Sequence, residues 1–511
     1  MVWDIALSSE GSRMNNISSE KQNSNSLAAY LYPLAVWVLA FGCSVGWGSF
    51  VMPGTTFLPF AGPVGTALGL LAGAAIMALI GVNYSYMLKR YPGAGGAYSY
   101  AKKTLGFDHG FLCAWMLILT YIAIIWANST ALSLIVRYLF GNIFCFGFSY
   151  EIAGYTVYFG ELLLSTSVLA ATGLICAFSR VIMKRVQIVC AVLLFAGVAV
   201  CFVAVAVHNG GFEKLLPAFA SEGNPAAQVL DIVILAPWAF IGFESISHSS
   251  GEFFKFSTKK SLPIMLAALF TGALTYIMLT LSAAMAVPDG YADWGEYISA
   301  LAGIDGVKGL PTFYAAREAM GNAGLAILAI SAFCGIVTGL IANYVALSRL
   351  FHSMAADGMA HKRLGKLSND KIPSFAVLCV AGVSCFIPML GRTAIGWIVD
   401  VTTIGASLVY AYTSISALVQ GGRERDRRAR IFGAAGTVLA VIFAVFYLLP
   451  NFWSKNRLAT ESYLILIIWS LMGMVVFRAL ISRDKRRKLG KDHSARACFG
   501  RFSRLDTSDN R

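Results

Sequence analysis

Two titratable side chains, Glu244 and His248, lie four residues apart in an otherwise apolar stretch of this chain. In an α-helix this spacing places both side chains on one face, one turn apart. A charged side chain at membrane depth costs roughly 2.5–3.5 kcal/mol on insertion scales, so its presence there needs a reason. We interpret the pair as a candidate for proton binding and release. The alternatives are a hydrogen-bonded contact between helices for Glu244 and ordinary packing near a helix end for His248.

Glycine interrupts two of the apolar stretches. The first stretch, FGCSVGWGSFVMPG, contains Gly42, Gly46 and Gly48. The second, LAPWAFIGFESISHSS, contains Gly242 two residues before Glu244. Glycine costs about 1 kcal/mol relative to alanine in a helix interior, and unwound backbone at membrane depth is tolerated only where it is buried in protein or lines a cavity. From spacing alone, close helix packing through small residues is the favoured interpretation of the first stretch, and an unwound segment that binds a ligand is the alternative.

Membrane-spanning helices must position these residues. Of the 511 residues, 57% are hydrophobic and 13% are charged, whereas soluble domains carry roughly 25% charged residues. A membrane-spanning helix needs about 20 mostly apolar residues. Twelve apolar windows approach this length, at residues 33–58, 63–88, 109–139, 158–178, 185–207, 228–251, 262–287, 322–350, 374–390, 394–419, 431–449 and 461–481. We therefore predict an all-α membrane protein with twelve transmembrane helices.

The two interrupted stretches fall in the first and sixth of these windows. Helices one to five and six to ten would consequently run in opposite orientations. Corresponding interruptions in two inverted halves indicate a transporter binding site near the midplane of the bilayer. The two glycine-containing stretches are thus more informative together than either is alone.

Lysine and arginine residues are unevenly distributed between the loops. With the N-terminus inside, 33 of the 40 lie on the inner side and 7 on the outer side, as the positive-inside rule requires. We expect a multi-pass protein of the cell membrane with both termini cytoplasmic. The expected parts are a tail over residues 1–30, a ten-helix transport core over 31–420, helices eleven and twelve over 421–482, and a basic tail over 483–511. The basic tail either contacts anionic lipids or serves retention and solubility.

Composition argues against several other classes of function. The net charge of +14 sits in short loops and in the tail beside helices, so topology explains it better than nucleic-acid binding does. Most of the ten cysteines lie in apolar windows, and no disulfide framework or zinc pattern is visible. The six histidines form no HExxH motif or comparable cluster. We expect no cofactor, no bound metal and no enzymatic activity.

Four motifs, in order along the chain, resemble those of the amino acid/polyamine/organocation permease superfamily. The first-helix pattern I-G-x-G-I-F corresponds to Val45–Phe50, and the pattern P-x-A-G-G-x-Y after helix two corresponds to Pro92–Tyr98. The sixth-helix pattern W-x-F-I-G-x-E-S corresponds to Trp238–Ser245, and S-R-x-x-x-x-M-A-x-D-G corresponds to Ser348–Gly358. The resemblance covers roughly residues 33 to 420. It implies the leucine-transporter-type fold, a five-plus-five inverted repeat, here with two extra C-terminal helices.

The resemblance also implies a secondary active transporter of an amino acid or related amine that works by alternating access. Free amides around Val45 to Gly48 would bind the substrate carboxylate at the positive end of a half-helix. Carbonyl groups around Trp238 to Ile241 would bind the amino group. Trp238 would form a gate or platform over the substrate, and Glu244, with His248, would couple gating to a proton. The implied substrate-binding residues are Ser44, Val45, Gly46, Trp47, Gly48, Trp238, Phe240, Ile241, Gly242, Asn343, Thr402 and Thr403.

Two departures from the family pattern affect these expectations. Trp47 stands between the paired glycines, where the family usually has a small residue, and it would either shrink the cavity or stack on the substrate. Proton-coupled relatives often carry a lysine seven residues after a V-Q pair in helix five. After Val186 and Gln187 that position is Leu194, so a lysine-based proton mechanism is not available here.

Other functions fit parts of the same pattern. An exchanger of amino acids or amines would share every feature above, and a nutrient sensor of transporter shape would bind the substrate without moving it. A membrane-embedded enzyme would need clustered nucleophiles, bases or metal ligands, which the sequence lacks. A cationic substrate would require a second acidic group besides Glu244, and Asp231 and Asp400 both lie near helix ends. Neutral substrates are therefore favoured.

Overall fold

The computed structural model describes residues 31–152, 154–221, 223–253, 258–391, 394–449 and 458–505, with side chains described only up to residue 482. The predicted N-terminal tail, residues 1–30, lies outside the described residues, and so do the side chains of the predicted basic tail, 483–511. The chain divides into two compact units, Met1–Ser462 and Tyr463–Arg511.

The described residues are mostly helical. The α-helices are α1 (Pro33–Ser44), α2 (Gly48–Met52), α3 (Leu58–Arg90), α4 (Ala97–Leu105), α5 (Phe107–Phe140), α6 (Phe159–Phe178), α7 (Arg180–His208), α8 (Pro225–Ile234), α9 (Ala236–Ala239), α10 (Ser261–Met285), α11 (Trp294–Ser299), α12 (Pro311–Ala356), α13 (Ser374–Ser384), α14 (Ala394–Arg423), α15 (Arg427–Leu448) and α16 (Thr460–Leu505). A short antiparallel hairpin, β1 (Ser149–Ile152) and β2 (Tyr155–Tyr158), pairs Ser149 with Tyr158 and Ile152 with Tyr155.

Nine helical segments within the described residues are long and apolar enough to cross a membrane. They are Gly48–Arg90, Phe107–Phe144, Phe159–Phe178, Arg180–His208, Thr258–Met285, Pro311–Ala356, Ile395–Arg423, Arg427–Leu448 and Thr460–Ser482. Three shorter apolar segments are Pro33–Ser44, Pro225–Ile234 and Ser374–Leu390. The protein is therefore a multi-pass membrane protein, as its composition predicts.

Two long helices change direction at glycines. Gly62 has a φ of +64° and directly precedes Pro63 in α3, and a Cβ atom at Gly62 would lie 2.8 Å from the backbone of Phe219. Glycine adopts positive φ without steric cost, and proline removes an amide that would continue the helical hydrogen bonds. Gly321, with a φ of +63°, bends α12 without a following proline. The two kinks coincide with the starts of the second and eighth predicted windows.

Helices α5 and α12 lie at the centre of the larger unit. The most apolar windows of these helices are 72% and 67% buried, compared with 33% for α7 and α15. Helix α12 packs against α1, α5 and α7, while α14 packs against α5 and α15. Helix α12 contacts α1, α14 contacts α9, and α5 contacts the first interrupted span through Asn128, so all three helices face the interrupted spans.

A buried ion pair fixes one end of this core. Arg349 of α12 and Glu252 are each 1% exposed, and the Nε and Nη2 atoms of Arg349 both lie 3.0 Å from Oε1 of Glu252. Arg349 also donates to Ser348 Oγ at 3.0 Å. The backbone amide of Leu31, just before α1, donates to the Glu252 carbonyl oxygen at 3.0 Å. The ion pair therefore lies beside the start of the first helix.

The loop between α3 and α4 closes over the same end. Ser250 Oγ accepts from the amide of Gly93 and donates to its carbonyl oxygen, both at 2.8 Å. Tyr98 donates to Asp357 at 2.5 Å, and Lys102 forms an ion pair with the same carboxylate. These contacts join the loop, the segment after the sixth-window break and the end of α12.

A second ion pair joins the ends of α3 and α14. The Nε atom of Arg90 lies 2.7 Å from both carboxylate oxygens of Glu424, and Tyr86 donates to the same carboxylate at 3.0 Å. Hydrogen bonding from Arg90 lowers the pKa of Glu424 to about 2. The carboxylate side chain is 34% exposed, so water screens the pair and its contribution is about 1 kcal/mol or less.

The lowered pKa of Glu424 predicts a pH-dependent contribution to stability. A carboxylate with a lowered folded-state pKa stabilises the protein above its ordinary pKa of roughly 4.5 and loses this effect as the pH falls toward the folded value. Glu424→Gln should therefore lower the unfolding temperature at pH 7, and the difference from wild type should shrink between pH 5 and pH 3 in a thermal unfolding series. The exposed Glu461, changed to Gln, is the control. A constant difference across this range would contradict the assignment.

Candidate functional site

The first predicted span is broken in the middle. Helix α1 ends at Ser44 and α2 begins at Gly48, and Val45 is extended, with φ −118° and ψ 99°. The amide of Trp47 donates to Oδ1 of Asn128 at 3.5 Å. A side chain from α5 thus takes the place of a helical backbone partner, and the predicted unwound segment is present.

The glycines of this break allow other groups to approach its backbone. A Cβ atom at Gly46 would lie 2.7 Å from Oδ1 of Asn128, and one at Gly48 would lie 2.3 Å from the ring of Trp238. Both distances are too short for a real side chain. Both interpretations of the first stretch, unwinding and close packing, therefore apply. The helix unwinds here, and its small residues also permit close packing.

The sixth predicted span is broken as well. It consists of α8, the single turn α9 and a series of tight turns, with Gly242 at a φ of +106°. A Cβ atom at Gly242 would lie 2.5 Å from Cβ and Sγ of Cys43 in α1. Ser44 Oγ donates to the carbonyl oxygen of Phe240 at 3.3 Å. The two breaks therefore face and contact each other.

A small cavity lies between the two breaks. Its volume of about 30 Å³ is room for about two water molecules. The rings of Trp47 and Trp238 meet edge to face across it, with centroids 6.2 Å apart. The lining residues are Cys43, Ser44, Gly46, Trp47, Gly48, Ile124, Ala127, Asn128, Trp238, Ile241, Tyr276, Val399 and Thr402. All of them are uncharged, and the cavity is too small for an amino acid in this conformation.

The predicted binding residues divide into two groups. Those that line the cavity are Ser44, Gly46, Trp47, Gly48, Trp238, Ile241 and Thr402. Those that are buried beside it without lining it are Val45, Phe240, Gly242, Asn343 and Thr403. Asn343 Nδ2 donates to the carbonyl oxygen of Gly339 at 2.8 Å, and Thr403 Oγ1 donates to that of Val399 at 2.8 Å. Both side chains thus bond to their own helices.

Sequence reasoning missed several lining residues. They are Cys43, Ile124, Ala127, Asn128, Tyr276 and Val399. Asn128 carried a usable signal, since it is an amide side chain in the middle of an apolar window and is 2% exposed. The hydroxyl of Tyr276 donates to the carbonyl oxygen of Ser44 at 3.4 Å, a contact that spacing along the chain does not reveal.

Glu244 lies just beyond the cavity and is 2% exposed. Its Oε1 atom accepts from the hydroxyl of Tyr121 at 3.3 Å, and its Oε2 atom accepts from Tyr410 at 3.4 Å and from the amide of Gly242 at 2.9 Å. No lysine, arginine or histidine forms an ion pair with it among the described residues. The carboxylate is held by neutral donors from α5, α14 and its own turn.

His248 is completely buried four residues after Glu244, in a segment of tight turns and a 3-10 turn instead of the α-helix that the sequence predicts. Its ring packs edge to face against Tyr121, with centroids 5.3 Å apart, and a Cβ atom at Gly96 would lie 2.9 Å from its Nε2 atom. Neither ring nitrogen has a hydrogen-bond partner within the described part of the chain. Tyr121 therefore contacts both titratable groups, one through its hydroxyl and the other through its ring.

Comparison with known proteins identifies the family of this chain. The sequence model for the family described as amino acid permease matches residues 31–477. The chain belongs to this family. It is a member of the amino acid/polyamine/organocation superfamily, as its motifs indicate.

Within the described residues, no group of three or more histidine, cysteine, aspartate or glutamate side chains is placed to hold a metal ion.

The similar permeases carry several different substrates. The methylthioribose transporter of Bacillus subtilis is 25% identical, over 90% of this chain and 95% of its own length. Cationic amino acid transporter 4 of Mus musculus is 24% identical, and the match covers 80% of this chain and 62% of that relative's length. The low-affinity putrescine importer of Escherichia coli is 22% identical, over 86% of this chain and 92% of its own length. The relatives are transporters, and their names do not agree on one substrate.

The contact between Gly48 and Trp238 leads to a stability prediction. Gly48→Ala places a methyl group against the indole ring, and overpacking of this kind costs typically 1–3 kcal/mol. We expect a clear fall in unfolding temperature, measured by thermal unfolding in detergent. Gly396→Ala is the matched control, because nothing lies within 4 Å of a Cβ atom there. Equal unfolding temperatures for the two variants would contradict the described ring position.

Proposed function

We propose that this permease is a secondary active transporter that moves an amino acid or related amine across the cell membrane by alternating access. The observation that carries the proposal is the pair of facing helix breaks, joined by the bond from Ser44 to Phe240 around an uncharged cavity. Unwound backbone at membrane depth is expected where a substrate binds. The chain then forms twelve spans arranged as a five-plus-five inverted repeat with two further helices.

The described helices support twelve spans. The nine long segments include Gly48–Arg90, in which the Gly62 kink separates the second half of span one from span two. The three shorter apolar segments supply the first half of span one, the first half of span six, and span nine. The positive-inside distribution then favours cytoplasmic N- and C-termini.

The two breaks offer complementary groups to a zwitterion. In this proposal the backbone amides around Val45 to Gly48, next to the N-terminus of α2, bind the substrate carboxylate, because the positive end of a helix favours an anion. The carbonyl oxygens from Trp238 to Ile241 accept hydrogen bonds from an ammonium group. Trp238 closes over the bound substrate, and Thr402 contacts it from α14. In this proposal Asn343 and Thr403 support the lining residues from behind.

Alternating access follows from where the core is closed. The cavity is too small for substrate, so the two breaks must separate for binding. The ion pair of Arg349 with Glu252 and the bonds of Ser250 with Gly93 close one end of the core. We assign that end to the cytoplasmic side. Release requires these contacts to break while the opposite end closes.

Coupling to a proton is assigned to Glu244, assisted by His248. Tyr121 contacts both groups, so a change at either one is transmitted to the other and to α5. A buried carboxylate without an ion-pair partner is costly when charged, which links its protonation to opening of the core. An exchanger without proton coupling uses the same fold and is the alternative. A sensor, which would bind without transport, is the less favoured alternative.

A direct test combines binding with flux. Purified protein is screened by thermal shift against amino acids, polyamines and methylthioribose, and each compound that stabilises it is then followed as a radiolabelled substrate in proteoliposomes. We expect at least one amino acid or amine both to bind and to accumulate. Binding without accumulation or counterflow would favour the sensor. Stabilisation by methylthioribose alone would overturn the amino acid assignment.

Removing the titratable group of Glu244 tests the coupling. We expect uptake by wild type to rise when the outside is more acidic than the inside. Glu244→Gln should abolish this dependence on the proton gradient. Counterflow should remain in this variant, because exchange of substrate needs no net proton movement. The measurement is initial uptake over pH 5 to 8 with and without a proton gradient. Glu461→Gln is the control. An unchanged pH response in Glu244→Gln would eliminate the proposed role.

A further inference from the structure

The chemical character of the cavity lining restricts the substrate's side chain. Every lining residue is neutral, and neither Glu244 nor Asp400 is among them. The two carboxylate oxygens of Glu244 already accept bonds from Tyr121, Tyr410 and the Gly242 amide. A buried charge needs an oppositely charged or strongly hydrogen-bonding partner. The backbone groups of the breaks can pair with the ammonium and carboxylate groups of a zwitterion. A second positive charge, on the substrate's side chain, would find no carboxylate among the lining residues to pair with.

The two tryptophans restrict its size. Trp47 and Trp238 are 6% and 9% exposed, and their rings meet at an interplanar angle of 69°. The edge of one ring covers the face of the other, so that face is not open to a cation. The ring of Trp238 cannot move toward the first helix, because it already lies against Gly48. Space for a side chain must come mainly from movement of Trp47.

We infer that this permease selects amino acids with small, uncharged side chains, and that Trp47 sets the upper size limit. The inference rests on the proposed function and makes it more specific. It separates this chain from relatives named for cationic amino acids and putrescine. Trp47 occupies the position between Gly46 and Gly48, so a large side chain lies at the centre of the site.

The size limit is tested with Trp47→Ala and Trp47→Phe. The probes are alanine, serine, leucine, phenylalanine, lysine and putrescine, each titrated against the purified full-length protein in a thermal-shift assay. Wild type should bind alanine or serine at least tenfold more tightly than leucine or phenylalanine. Trp47→Ala should reverse or remove this ratio, and Trp47→Phe should largely retain it. The control is Trp37→Ala, since Trp37 stacks on Phe41 and does not line the cavity.

The charge requirement is tested by adding an acidic group. Thr402→Asp places a carboxylate in the lining and should improve binding of lysine and putrescine at least tenfold relative to wild type. Val399→Asp repeats the test at a second lining position if the first variant does not fold. Lysine or putrescine binding to wild type as tightly as alanine would overturn the inference, as would an unchanged size ratio in Trp47→Ala. If none of these probes binds folded wild type, the inference fails, whereas the proposed function fails only if the wider screen of amino acids and polyamines also finds no ligand.

Discussion

The hydrocarbon interior of a bilayer provides no partner for a backbone amide, and this constraint governs the whole arrangement. Two spans are unwound near Gly46 and Gly242, so the exposed peptide groups must be satisfied by protein or by substrate. Asn128 accepts a hydrogen bond from the amide of Trp47, and Ser44 donates one to the carbonyl oxygen of Phe240. The most buried membrane-spanning helices, α5, α12 and α14, pack around these breaks, which keeps the unwound backbone away from lipid. The site can therefore exist only in the interior of a many-helix protein.

The same constraint explains the residue types around Glu244. A carboxylate in this position needs donors, and two tyrosines and one backbone amide supply them without adding a second charge. Tyrosine combines an apolar ring that packs among helices with a hydroxyl that hydrogen-bonds. The packing of Tyr121 against His248 connects this group to the end of the core that Ser250 and Gly93 close. The cavity and this closed end are therefore linked by direct contacts.

Much of this organisation was predictable from the sequence, because helix breaks depend on local residue types. The spacing of Gly46 and Gly48 taken alone favoured close packing, and its pairing with Gly242 beside Glu244 in the sixth window indicated two unwound segments. The residues of other helices that contact these breaks were harder to predict from the sequence. Asn128, Tyr276 and Val399 reach the cavity from other helices, and their positions depend on helix rotation and tilt, which an apolar window does not specify. Asn343 and Thr403 illustrate the converse, since their side chains bond to their own helices instead of lining the cavity.

The buried pair of Arg349 and Glu252 has an electrical consequence. Moving one elementary charge across a membrane potential of 100 mV is worth about 2.3 kcal/mol. The two side chains carry opposite charges that are 3.0 Å apart and equally buried, so the closed pair carries no net charge. Opening this end separates the two charges, and any difference in how far each one moves along the membrane normal couples the opening step to the membrane potential. The contact that closes this end is thus neutral as a unit but sensitive to voltage when it breaks.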